Sequence, residues 1–222
     1  MSMDQPRAGF DLLMPDDPVA AIVLVLAGGK PESRARSRPW QLSNLRMRPF
    51  TRRLAKQGRS RGIAVAQLRY RMRGWNGVEQ SPVADGVWAL QQLREHFGSA
   101  PVVVLGHSMG GRTAAHLAAR PEVLGVVALA PWWPEQEGRA FRTGQQLLVL
   151  HGAADRWTDP EESARQVRLA AEHGVAARWR AMPGGHFMLR SPRLWQREAV
   201  RTAISWADPS QRRTAPNAGQ ES

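Results

Sequence analysis

Residues 101–117 read PVVVLGHSMGGRTAAHL. An apolar, β-branched run ends at Gly106, and helical spacing begins at Ser108. The stretch is therefore a buried strand that turns sharply into a helix, with a serine at the turn. Gly106-His107-Ser108-Met109-Gly110 has the form G-x-S-x-G. On such a turn the serine backbone is strained, and the residues two before and two after it must be small to clear the strand and the helix. Gly106 and Gly110 meet that need, and Gly111 adds room. The competing reading is a serine that only caps a helix. The glycines at fixed offsets favour a nucleophile.

Working outward, the same alternation recurs. Strands are expected over 20–27, 62–70, 101–106, 125–130, 146–152 and 176–182, and helices over 46–58, 82–98, 108–120, 159–174 and 191–207. Ser81 is a candidate cap, with Pro82 at the first helical position. Most strands are apolar on both faces, which indicates a parallel sheet covered on both sides. Three segments are expected: 1–17, whose GFDLLMP is a weak candidate edge strand; one domain over 18–207; and a polar, disordered tail over 208–222. The fold class is α/β, three-layered, with a mostly parallel sheet.

In open sheets of this kind ligands bind beyond the carboxyl ends of the strands. A serine nucleophile needs a base there, and the base needs an orienting acid. The expected chain order is serine, acid, histidine. Asp155 follows the strand ending in His151-Gly152, and His186 lies in the loop PGGHF after the strand ending at Met182. Asp159 is the rival acid, but it precedes Pro160 and reads as an N-cap with Glu162 at the third helical position. His96 and His173 close helices, His116 lies within one, His107 should point away from the serine, and His151 should bond locally. An oxyanion would be held by the backbone N–H of Met109 and of Gly29, with Gly28 the alternative. Only about fifteen residues separate Ala130 from Gln146, too few for a helical lid. Trp75, Trp132, Trp133 and Trp157 lie in strand-end loops and are expected to wall a substrate pocket. Arg71 or Arg73 could meet an acidic substrate group, but the leading expectation for both is a solvated position.

The motifs GHSMGG (106–111), HGAAD (151–155) and GGH (184–186) resemble those of small α/β-hydrolases, of the dienelactone-hydrolase-like or esterase-like kind. The resemblance covers roughly residues 18–207. It implies an eight-stranded type of sheet, trimmed at its N-terminal edge, and a lidless serine hydrolase of carboxylic esters. Thioester, peroxy-acid and peptide chemistry on the same triad are its variants. The family often carries His-Gly at the oxyanion loop, where this chain has Ala27-Gly28. Dienelactone hydrolases use a cysteine, and this chain has none.

Composition narrows the rest. The absence of cysteine excludes disulfides, zinc-thiolate sites and a cysteine nucleophile. No metal or organic cofactor is called for. The net charge of +12 comes from 31 basic and 19 acidic residues, with lysine only at Lys30 and Lys56. The arginines are scattered, so a basic binding module on a hydrolase fold, or nucleic-acid binding, is the lesser reading. The longest apolar run is far short of the ~20 residues of a membrane helix. The expectation is a cytoplasmic protein acting on a small ester or acyl substrate, its oligomeric state open.

Overall fold

The chain alternates strand and helix because its short, continuous apolar runs are separated by amphipathic runs of period 3.6. A computed structural model describes residues 7–212. Its strands are β1 (Gly9–Leu13), β2 (Ala21–Leu26), β3 (Ile63–Arg69), β4 (Val102–His107), β5 (Val123–Leu129), β6 (Gln146–Gly152) and β7 (Ala176–Met182). They form one sheet in the order β1-β3-β2-β4-β5-β6-β7. β1 runs antiparallel to β3, and every other pairing is parallel. The described residues thus hold seven strands rather than eight, and GFDLL does form an edge strand. Residues 1–6 lie outside the described part.

The helices are α1 (Leu42–Gly58), α2 (Ser81–Phe97), α3 (Met109–Leu117), α4 (Pro160–Glu172), α5 (Pro192–Ala207) and α6 (Pro209–Arg212). Strand side chains alternate between faces, so β2 feeds two cores at once. Ile22, Leu24 and Leu26 pack with Leu90, Leu117 and Val167 under α2, α3 and α4. Ala21, Val23 and Val25 pack with Met47, Leu54 and Trp195 under α1 and α5. Each fully buried aliphatic side chain contributes about 1.5–3 kcal/mol relative to exposure.

Three of the boundaries that differ from expectation are explained by polar contacts or caps. α1 starts four residues early, because its first turn is fixed by polar contacts: buried Asn44 donates to Arg38 O at 2.8 Å. Apolar periodicity does not see such a turn. α2 begins at Ser81 itself; its cap residue is Gln80, in the left-handed region at φ 44°. The ordered chain also passes Ala207. Asp208 is buried and meets Arg61 at 3.3 Å, and α6 follows. Residues 213–222 lie outside the described part.

Strand order reverses at β2, which pairs with β3 on one side and β4 on the other. The crevice above that switch point is where open sheets bind ligands. The loops after β2, β4, β6 and β7 open there. Between β5 and β6 the only helical element is a 3-10 turn at Glu137–Ala140, so no lid domain covers the crevice.

Candidate active site

Ser108 occupies the turn between β4 and α3 at φ 54° and ψ −118°. L-residues adopt that region only when their surroundings impose it. Close packing imposes it here. A Cβ on Gly106 would stand 2.2 Å from the Gly110 carbonyl oxygen, and one on Gly110 would stand 2.5 Å from Leu26 O. The Ser108 amide donates to Leu129 O at 3.0 Å, tying the turn to β5. The hydroxyl makes no capping bond to α3. Instead it lies 2.9 Å from His186 Nε2.

His186 follows β7 in a loop that needs Gly184 at φ 89° to turn back over the sheet. The imidazole is buried, and its Nδ1 lies 2.9 Å from Asp155 Oδ2. Burial alone would raise the Asp155 carboxyl. Hydrogen bonds from His151 and His186, and from the Thr158 and Trp157 amides, outweigh burial and hold the carboxyl well below the usual carboxylate range. Asp155 is therefore ionised and can only accept. The His186 proton then resides on Nδ1, which leaves Nε2 free to accept from the Ser108 hydroxyl. Asp159, the rival acid, caps α4 by accepting from Glu161 N and Glu162 N.

The loop after β6 contributes more than its acid. Thr158 Oγ1 lies 3.0 Å from Asp155 Oδ2 and 3.1 Å from His186 Nδ1. His151 approaches the same carboxylate oxygen at 3.3 Å, and its Nδ1 lies 2.8 Å from Ser163 Oγ. Sequence reading placed His151 in local bonds but missed that one of them reaches Asp155. His107 packs against His186 rather than bonding to Ser108. Its Nε2–H donates to the His186 carbonyl at 2.9 Å, and its ring packs on the His186 ring. Burial, and then the neighbouring His186, push its pKa down to about 3. It is therefore neutral beside the His186 imidazole.

Backbone donors lie beside the serine. The N–H groups of Met109 and Gly29 find no acceptor among the described residues, and both residues border the same cavity. A Cβ on Gly29 would stand 2.4 Å from the Arg73 carbonyl oxygen, so this close approach requires glycine. Gly28 is also close: a Cβ there would stand 3.3 Å from Ser108 Cβ. The cavity is open to solvent and is bordered by Ser108 and His186.

Two of the four tryptophans reach this cavity. Trp132 and Trp157 line it, and Trp157 lies nearly parallel to the His186 ring, at 20° and 6.3 Å. Trp75 and Trp133 do not line it. Trp75 is buried with the Arg112 guanidinium 4.1 Å from its ring centroid, and Trp133 donates to Gly111 O behind α3. Arg112 is itself held by Glu137 and Glu135, which explains why this corner takes aromatic faces. Arg71 is turned into a bond with Asp85 at 2.5 Å. The cations that border the cavity are Arg46 and Lys30 instead, joined by Phe187. No motif marked these three. Among the described residues, no group of three or more His, Asp or Glu side chains is placed to hold a metal ion. No described helix is long and apolar enough to cross a membrane.

A family model described as alpha/beta hydrolase fold matches residues 58–144. The fold is also similar to solved structures. The Est1E structure from Butyrivibrio proteoclasticus with ferulic acid bound superposes with a TM-score of 0.67 at 12% identity, covering 90% of this chain and 95% of that one. An esterase from the Planctomycetes species Thermogutta terrifontis, with propionate bound, gives 0.67 at 19%, covering 92% and 90%. An alpha-beta serine hydrolase homologue from Coxiella burnetii gives 0.67 at 16%, covering 88% and 91%. No curated protein matches the chain in sequence. The chain is an α/β-hydrolase-fold protein.

Proposed function

We propose that the protein is a serine hydrolase that cleaves a carboxylic ester, or a related acyl bond, through an acyl-enzyme. The observation that carries this reading is the unbroken run of hydrogen bonds from Ser108 through His186 to Asp155. Ser108 Oγ attacks the carbonyl carbon as its proton passes to His186 Nε2. Asp155 holds the imidazole in the receiving tautomer and stabilises the imidazolium. The tetrahedral oxyanion is received by the N–H groups of Met109 and Gly29. Preorganised donors of this kind are worth about 2.7–4 kcal/mol each. The intermediate collapses, and the leaving alcohol takes the proton from His186. Water then attacks the acyl carbon while His186 accepts its proton. Expulsion of the acid restores Ser108. The open cavity with two tryptophans suits a small ester with an apolar or aromatic part.

The test is a panel of matched 4-nitrophenyl ester, thioester and anilide substrates, run on the wild type and on Ser108→Ala. The ester should turn over fastest, and the variant should lose that turnover by on the order of 10⁶-fold. Equal rates in the two proteins would remove the reading.

A further inference from the structure

The cavity holding Ser108 is bordered by two cationic side chains and by no acidic one. Lys30 is exposed where the chain leaves β2. Arg46 reaches in from α1, half-buried, with its guanidinium stacked on Phe187 at 4.7 Å. Unpaired arginines are common on a chain of charge +12, so lack of a partner distinguishes nothing by itself. The setting of Arg46 does. Burial disfavours its charge, no described residue supplies a carboxylate or other acceptor, and the titratable group in the site that feels its charge is the neutral His107. Stacking on an aromatic face fixes the guanidinium plane and leaves its N–H edges free. A planar, preorganised fork with unfilled donors matches a carboxylate in two hydrogen bonds.

We infer that the substrate is an anionic ester, carrying a carboxylate away from the scissile bond, and that Arg46 receives this carboxylate at the rim with Lys30 adding attraction. Arg46 is a specificity-determining residue that acts on binding and takes no part in proton transfer. This inference rests on the hydrolase reading above.

The experiment compares 4-nitrophenyl hemisuccinate with the 4-nitrophenyl ester of its neutral monomethyl ester. The wild type should favour the anionic substrate in kcat/KM by about tenfold, on the scale of one charge-assisted contact. Arg46→Gln should bring the ratio close to one, chiefly through KM, and Arg46→Lys should keep part of it. Arg52→Gln, an exposed position on the same helix, removes an equal charge and should leave the ratio as it is. A ratio that survives Arg46→Gln, or falls equally with Arg52→Gln, overturns the inference. A wild type that cleaves the neutral ester but shows no preference overturns it while the hydrolase reading stands. A wild type that cleaves neither ester, and is not labelled by a fluorophosphonate at Ser108, removes both.

Discussion

The turn that carries Ser108 and the rim that faces it are built by opposite means. At the turn, close backbone contacts surround the serine: the glycine at 110 faces Leu26 O and Ala27 O at distances no side chain tolerates. At the rim, Arg46, Lys30, Trp132, Trp157 and Phe187 arrive from separate segments around an open cavity. One region is constrained until a single geometry remains, while the other keeps space for a ligand. On the proposed hydrolase reading, chemistry that needs sub-ångström placement belongs to the first, and discrimination among substrates belongs to the second.

Four changes break or sharpen that contrast. The largest effect should come from Asp155→Asn. It keeps the shape of the loop but removes the charge that fixes the His186 tautomer, and kcat should fall about 10⁴-fold, measured in steady state on a short-chain ester. Next is Gly110→Ala, which forces a methyl against the β2 carbonyls. Overpacking of this kind costs about 1–3 kcal/mol, read from urea midpoints, with activity falling in parallel.

The third concerns pH. His107 has a folded-state pKa lowered to about 3, below the ~6.5 of an unfolded histidine. Between these values the unfolded chain binds a proton that the native chain refuses. Stability is therefore full above about pH 6.5 and is lost as pH falls toward 3, by at most about 1.4 kcal/mol per pH unit from this group. Urea titrations of wild type and His107→Gln across pH 4–7 should show a shallower slope in the variant. The smallest effect should come from Trp157→Ala at the rim. This side chain is 74% exposed, so stability should move by less than about 0.5 kcal/mol. KM for an aryl ester should rise about three- to tenfold, on the scale of one aromatic contact.

The same contrast decides how much was legible in the sequence. The turn could be read because its constraints are local: glycines two before and two after Ser108 leave few alternatives. The placement of Asp155 and His186 beside Ser108 was also legible, since each closely follows a strand of a sheet whose alternation is plain. The rim was not. Trp75 looked like a pocket wall, yet its face is occupied by Arg112, a contact set by the packing of α3 against a distant loop. Arg71 was expected to be solvated, with substrate contact the lesser reading, yet Asp85 on α2 holds it. Arg46 lay inside an expected amphipathic helix, and only the tertiary packing shows which of its polar positions faces the site. The left-handed cap at Gln80 and the buried Asn44 hid the starts of α2 and α1 for a like reason: side-chain pattern carries no record of them.

The central claim is that His186, oriented by Asp155, makes the Ser108 hydroxyl nucleophilic. Peptide mass spectrometry after brief exposure to a fluorophosphonate tests it most directly, run on wild type and on His186→Ala. A single adduct on Ser108, formed at least ~10³-fold more slowly in the variant, is the predicted result. An adduct on another residue, or equal rates in the two proteins, would contradict it.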